Sequence, residues 1–261
     1  MIGVFDSGLG GLSVLAAIAR ALPRADLTYF ADSAYVPYGE RDDAFIRARA
    51  LAIGQHLVDR GCRVLVVACN TATAVAATAC REHFPGVPVV GVEPGVKPAA
   101  ASSLNRHIAV LATSATARSE RLARLIRQHA TGVRVDVEAC PGWATRVESL
   151  QQNDPAFIAE ARARLEPLLA AGADRIVLGC THYTFLAPTL KTLIDGRAQL
   201  VDVADAVGRQ CVRRAGGIAR GDGQLELLAS AQPERLQNML PALGLDWLAQ
   251  HAVAPAQHVD V

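Results

Sequence analysis

Aromatic side chains are scarce in this chain. Phe, Trp and Tyr make up 5% of its 261 residues, which leaves little for the stacking platforms that hold single-stranded nucleic acids. An excess of charge is missing too: 26 basic residues stand against 25 acidic ones, a formal net charge of +1. Without a basic field to draw phosphates in, nucleic acid is not favoured as the main partner. No apolar run approaches the roughly 18 residues of a membrane helix, so no membrane partner is expected. The chain enters Ile2-Gly3-Val4-Phe5 with no basic segment before it. No secretory signal is therefore expected, and the expected location is the cytoplasm. Neither a disulfide framework nor a CxxC knuckle can be drawn from the six cysteines, which would stay reduced in that compartment. Low-complexity segments and long charge runs are absent as well.

What the chain does have is apolar residues, 51% of the total, ample for a sizeable core. They fall into alternating strand and helix signals. Strands are predicted at Met1 to Phe5, Leu27 to Ala31, Arg63 to Ala68 and Pro88 to Val92, with helices up to about Leu22, over Asp42 to Arg60, and over Ala72 to His83. This βαβα pattern predicts a parallel sheet covered on both faces. The pattern then restarts. Ile108-Ala109-Val110-Leu111-Ala112-Thr113 echoes Ile2-Gly3-Val4-Phe5-Asp6-Ser7. A helix from Ala115 to about His129, a strand near Val133 to Glu138, and helices at Trp143 to Leu150 and Pro155 to Ala170 follow. A further strand precedes Cys180, then a helix to Ile194 and a strand over Gln199 to Val203.

The expected fold is α/β, with two pseudo-symmetric three-layer lobes, mostly parallel sheets, and an active site in the cleft between them. The first lobe takes residues 1–97 and 208–261 and carries Cys69; the second takes 98–207 and carries Cys180. Pro94-Gly95-Val96-Lys97-Pro98 is read as the first crossing. Helices after about Val207 are expected to pack on the first lobe, and His251 to Val261 to be loosely ordered.

The two cysteines sit at matching places. Val64-Leu65-Val66-Val67-Ala68-Cys69-Asn70-Thr71 and Arg175-Ile176-Val177-Leu178-Gly179-Cys180-Thr181-His182 are each an apolar run, a small residue, a cysteine and a polar residue. Such runs read as buried parallel strands leaving their sheet, and ligand sites of open α/β sheets lie just beyond strand ends. A thiol at a helix N-terminus is biased toward thiolate by the partial positive charge there. A lone cysteine in such a place is more often a packing residue; two in equivalent places point to function. His182 is placed to polarise Cys180 or relay its proton, and Asp6 to do the same for Cys69. A metal site is disfavoured by the Cys180-x-His182 spacing. Cys62, Cys80, Cys140 and Cys211 read as small buried hydrophobes. His56, His83, His107, His129, His251 and His258 have no motif around them and read as surface residues. Glu148, taken alone, reads as a surface carboxylate.

Asp6-Ser7-Gly8-Leu9-Gly10-Gly11 joins a strand to a helix and can hold an anion on its backbone N–H groups. As a dinucleotide fingerprint it fails, because Ser13 stands where the third glycine belongs. Asp32, near the end of the second strand, is where a ribose-binding acid would sit. A carboxylate at Asp6 would repel a pyrophosphate.

Together with Val36-Pro37-Tyr38-Gly39-Glu40, Ala68-Cys69-Asn70-Thr71-Ala72, Val92-Glu93-Pro94-Gly95 and Gly179-Cys180-Thr181-His182-Tyr183, that turn resembles the glutamate racemases over nearly the whole chain. The histidine after Cys180-Thr181 favours this branch over the aspartate racemases, where glutamate is usual. The resemblance implies a cofactor-independent isomerase, free of pyridoxal phosphate and metal, that racemises L-glutamate to D-glutamate for peptidoglycan synthesis. Cys180 would take the proton from L-glutamate and Cys69 from D-glutamate. His182 and Glu148 would support Cys180, and Asp6 would support Cys69. Substrate-binding groups would come from Asp6, Ser7, Pro37, Tyr38, Gly39, Asn70, Thr71, Thr113, Thr181 and His182. A homodimer is common in the family. Gly142-Trp143-Ala144-Thr145-Arg146 departs from it, replacing a more apolar, proline-containing run. An aspartate racemase, a single-cysteine decarboxylase or isomerase, and a two-lobed amino-acid binding protein remain as rival readings.

Overall fold

The computed structural model describes residues 1–218 and 221–261, and only the backbone at Ile218. The chain divides into two compact units, Met1–Val92 with Ala204–Val261, and Glu93–Val203. In order, the first unit contributes β1 (Ile2–Asp6), α1 (Leu12–Ala21), β2 (Leu27–Ala31), α2 (Asp43–Asp59), β3 (Val64–Val67), α3 (Asn70–His83) and β4 (Val89–Gly91). The second contributes α4 (Val96–Ser102), β5 (His107–Ala112), α5 (Ser114–Ala117), α6 (Glu120–His129) and β6 (Arg134–Ala139). It continues with α7 (Trp143–Glu148), α8 (Pro155–Ala170), β7 (Arg175–Leu178), α9 (Ala187–Ile194) and β8 (Gln199–Val201). The chain then returns to the first unit through α10 (Ala204–Ala215), β9 (Leu225–Ala229), α11 (Pro233–Ala242), α12 (Asp246–Ala249) and β10 (Gln257–His258).

Each unit holds one sheet, and all the pairings are parallel. The first runs β10-β9-β2-β1-β3-β4, the second β6-β5-β7-β8. The segment β2-β1-β3-β4 therefore repeats the order β6-β5-β7-β8, the internal echo seen in the sequence. The central strands are buried along their whole length, as IGVFD, VLVV, HIAVLA and RIVL, because helices cover both faces of a parallel sheet and leave no polar side. Filling each such apolar position stabilises by about 1.5–3 kcal/mol relative to exposure.

Several expectations change. Residues 225–229 form a strand beside β2 rather than part of a helical tail. His251 to Val261 are tied down: β10 pairs with β9, Val259 N–H donates to the Ala229 carbonyl at 2.9 Å, and Val259 and Val261 pack on the core. The helix expected from Ala115 to His129 is two helices, since Ser119 accepts from Leu122 N–H and starts α6 afresh. The junctions between units fall a few residues earlier than 97/98 and 207/208. Val96 and Ala99 of α4 are fully buried in the second unit's core, and α10 packs on α1. His107 is buried rather than on the surface, with its ring nitrogens on Asp136 Oδ2 (2.8 Å) and the Ala171 carbonyl (3.0 Å). No described helix is long and apolar enough to cross a membrane.

Candidate active site

The parallel register brings the first set of residues together. Phe5 pairs with Val67, and Ala68 N–H donates to the Phe5 carbonyl at 2.8 Å. Asp6-Ser7 and Ala68-Cys69 thus leave neighbouring strands side by side at their C-terminal ends. Asp6 is fully buried and accepts from Gly8 N–H at 3.1 Å. A Cβ on Gly11 would lie 2.5 Å from that of Asp6 and 2.9 Å from the Tyr29 hydroxyl, so only glycine lets the turn fold back over the carboxylate. Tyr29 pins the turn by donating to the Gly8 carbonyl at 2.6 Å.

Cys69 caps α3. Its Sγ accepts from Ala72 N–H at 3.4 Å and lies 3.9 Å from Ser7 Oγ. A sulfur here takes the place of a hydroxyl cap and sits in the positive end of the helix dipole. Thr73, one turn on, bridges the strand end and the following loop, donating to the Val67 carbonyl (3.0 Å) and accepting from Val92 N–H (3.1 Å). Asn70 and Thr71 are buried in the first turn. Asn70 Nδ2 has no hydrogen-bond partner among the described residues, a donor available to a bound acceptor. Tyr38 is buried in the same core cluster as Cys69, between half-buried Pro37 and Gly39.

The second unit repeats the arrangement. Leu111 pairs with Leu178, and Gly179 N–H donates to the Leu111 carbonyl at 2.7 Å, placing Ala112-Thr113 beside Gly179-Cys180. A Cβ on Gly179 would stand 2.7 Å from that carbonyl, so the small residue before Cys180 is a steric requirement. Thr113 caps α5, accepting from Thr116 N–H at 3.2 Å. Cys180 leads into a 3₁₀ turn over Thr181–Leu186 and makes no side-chain cap bond. Its partner is His182, whose Nδ1 is 3.8 Å from Sγ and whose Nε2 is 2.7 Å from Glu148 Oε1. Glu148 is 6% exposed and His182 2%, so the carboxylate belongs to the interior and not to the surface. Burial alone would lower the imidazole pKa. Hydrogen bonds to Cys180 and Glu148, with their charges, outweigh it and raise the pKa well above the ordinary histidine value.

The atypical segment builds the wall behind this group. Trp143 is fully buried, edge-on to Phe157 and Tyr183 at 5.3 and 5.4 Å between centroids, and donates to Glu160 Oε1 at 3.2 Å. Arg164 ties Glu160 (3.0 Å) and Glu138 (2.7 Å) into the same wall. Tyr183 donates to the Cys140 carbonyl at 3.0 Å, and burial beside Cys180 holds its phenol well above the usual range. Burial disfavours the thiolate form of the remaining cysteines. It pushes the thiols of Cys62 and Cys80 up to about 11 and Cys211 to about 12, and raises Cys140 as well.

Asp32 is not free for a ribose. Its buried carboxylate is bound by Arg49, with Nη2 2.7 Å from Oδ1 and Nε 3.0 Å from Oδ2, and also accepts the Tyr38 hydroxyl. Neither the pairing of Asp32 with Arg49 nor the packing of Trp143 was anticipated. Arg49 carries no motif, and the pairing of residues 32 and 49 depends on the fold. Among the described residues, no three His, Cys, Asp or Glu side chains converge as metal ligands do.

Residues 2–211 match the family model described as Asp/Glu/Hydantoin racemase. A glutamate racemase of Ectopseudomonas mendocina is 44% identical over 253 residues, covering 93% of this chain and 94% of its own. The Escherichia coli glutamate racemase, solved in complex with L-glutamate and the activator UDP-MurNAc-ala, superposes with TM-score 0.84 at 31% identity. It covers 93% of this chain and 94% of its own. A glutamate racemase isoform from Bacillus anthracis gives TM-score 0.88 at 27% identity, over 100% and 97%.

Proposed function

The chain belongs to the Asp/Glu/Hydantoin racemase family, and we propose that it interconverts L- and D-glutamate by a two-base mechanism. One observation carries the proposal: Cys69 and Cys180 follow topologically equivalent strands, each surrounded by groups suited to holding or moving a proton. Inverting a stereocentre through a carbanion needs a base on one face of Cα and an acid on the other. Thiols serve both roles, because their ordinary pKa of roughly 8.5 lies near neutrality.

In the L-to-D direction the Cys180 thiolate takes the Cα proton, and the electron pair stays on Cα and its carboxylate. The Cys69 thiol then delivers its proton to the opposite face, leaving Cys180 as thiol and Cys69 as thiolate. The reverse reaction exchanges the roles. His182, kept cationic by Glu148, stabilises the Cys180 thiolate; the α3 dipole and Asp6 serve Cys69. Asn70 Nδ2, with the hydroxyls and N–H groups of Ser7, Thr71, Thr113 and Thr181, stabilises the carboxylate as negative charge flows into it. Backbone N–H groups of Tyr38 and Gly39, set in place by Pro37, suit the second carboxylate. The D-glutamate would supply peptidoglycan synthesis. Family resemblance alone supports that role, a cytoplasmic location and a homodimer.

Each glutamate enantiomer, incubated with the protein in heavy water, is expected to lose its circular dichroism while one deuterium appears at Cα by mass spectrometry. Absence of inversion, or faster inversion of aspartate than of glutamate, counts against the proposal.

A further inference from the structure

We propose that Arg49, acting through Asp32, is a positioning residue that fixes Tyr38 beside Cys69. The inference deepens the two-base reading and rests on it, naming part of the support for one of its two thiols.

Three elements converge here. Asp32 follows β2, Tyr38 opens a 3₁₀ turn that packs on α3, and Arg49 lies on α2. The Arg49 guanidinium presents two N–H groups to the two oxygens of Asp32, at 2.7 and 3.0 Å. Its remaining nitrogen donates to the Val261 carbonyl, and its Cζ lies over the Tyr35 ring, 4.6 Å from the centroid. These contacts hold the guanidinium in place, and a bidentate fork orients the carboxylate as a lysine's point charge cannot. Asp32, fully buried, then accepts the hydroxyl of Tyr38. The phenol has one O–H to donate, and Asp32 accepts it as a hydrogen bond. Tyr38 is therefore left to act through its ring and its backbone N–H rather than as a hydroxyl donor to the substrate.

The ring belongs to the core cluster that contains Cys69. Burial first, then Asp32 and the Cys69 sulfur, raise the Tyr38 phenol far above its ordinary value. Tyr38 thus stays protonated and does not compete with Cys69 for the migrating proton. A displacement of about 1 Å at a reacting centre can cost on the order of a hundredfold in rate, so anchoring the ring through an ion pair has a direct kinetic consequence.

The test uses the full chain as wild type, Arg49→Lys, Arg49→Met and Tyr38→Phe. Arg49→Met is expected to lower kcat roughly tenfold or more with little change in KM, and Arg49→Lys to recover part of the loss. A generally loosened protein would also lose rate, so the isotope effects decide. Cys69 is assigned to take the proton from D-glutamate. Weakening its end makes that transfer more limiting for D-[2-²H]glutamate and less limiting for L-[2-²H]glutamate. In Arg49→Met the first isotope effect is expected to rise and the second to fall. Wild-type kinetics, or isotope effects that move together, overturn the proposal.

A substrate-free arm separates this inference from the glutamate reading. Iodoacetamide labelling, followed residue by residue by mass spectrometry, is expected to change at Cys69 in Arg49→Met and Tyr38→Phe but not at Cys180. Equal changes at both cysteines, or none, also overturn it. A wild-type protein inactive on both enantiomers, with selective change at Cys69, refutes the substrate and keeps the positioning role. If Arg49→Met does not fold, Tyr38→Phe and Arg49→Lys give the same readouts.

Discussion

Cys69 and Cys180 leave their strands alike, yet the two units treat them differently. Cys69 caps a helix of 14 residues and takes a backbone N–H on its sulfur. Cys180 precedes a short 3₁₀ turn, makes no cap bond, and faces an imidazole backed by a buried carboxylate. Cys69 is served by a fixed dipole together with the Asp6 carboxylate, Cys180 by an imidazole held up by a carboxylate. A dipole is indifferent to pH; a histidine–glutamate pair is not. The pH sensitivity of the two ends is therefore expected to be unequal, with the Cys180 end the more responsive above neutrality.

The largest effect tests whether both ends are needed at all. Cys69→Ser and Cys180→Ser are each expected to lower racemisation by roughly a thousandfold or more, with glutamate binding by calorimetry largely kept. Normal turnover in either variant would remove one side of the comparison.

Next comes Trp143→Ala, which empties the wall of the second unit. Loss of a fully buried tryptophan costs about 3–5 kcal/mol, to be read from denaturant unfolding. A loss below about 1 kcal/mol would mean that the wall repacks at little cost.

Glu148→Gln sharpens the contrast between dipole and relay. It keeps the shape but removes the anion that helps hold the His182 pKa up. A tenfold to hundredfold lower kcat is expected, on the order of a lost acid–base contribution, with the alkaline limb of the profile moved to lower pH. The raised imidazole pKa also carries a stability signature. Its contribution is complete below the unfolded value of roughly 6.5. It fades as pH rises through the higher folded value. An alkaline limb unmoved by Glu148→Gln would argue that His182 is not the group controlling it.

The smallest effect concerns the helices that follow β1 and β5. The first unit has a single α1 there, whereas the second has α5 and α6 divided at Ser119. Ser119→Ala is expected to cost about 1 kcal/mol in melting experiments, the ordinary value of a lost cap. No loss would mean that Glu120 and packing alone start α6.

The parts that were legible share a physical cause. The runs before Cys69 and Cys180 are uniformly apolar because both faces of their sheets are covered, and the small-residue breaks after them mark the strand ends. The parts that were not legible depend on distant partners. Leu225-Glu226-Leu227-Leu228-Ala229 has the composition of a helix, and becomes a strand because β2 offers it an open edge. His107 reads as solvent-facing until Asp136 and the Ala171 carbonyl take both ring nitrogens. Glu148 looks unremarkable until α7 packs on the turn that carries His182. Asp32 stood out in sequence for the wrong reason: its partner was Arg49, not a ribose.

The position of β9 has a consequence for synthesis. Glu93–Val203 is contiguous, so this unit is complete once it has left the ribosome. The earlier-made unit still lacks Ala204–Val261 at that moment. Until the last stretch emerges, β2 is an open border with unmatched amides and carbonyls. Order of manufacture and order of completion are thus reversed along this polypeptide, and the nascent chain must be kept from pairing β2 with a stranger while it waits.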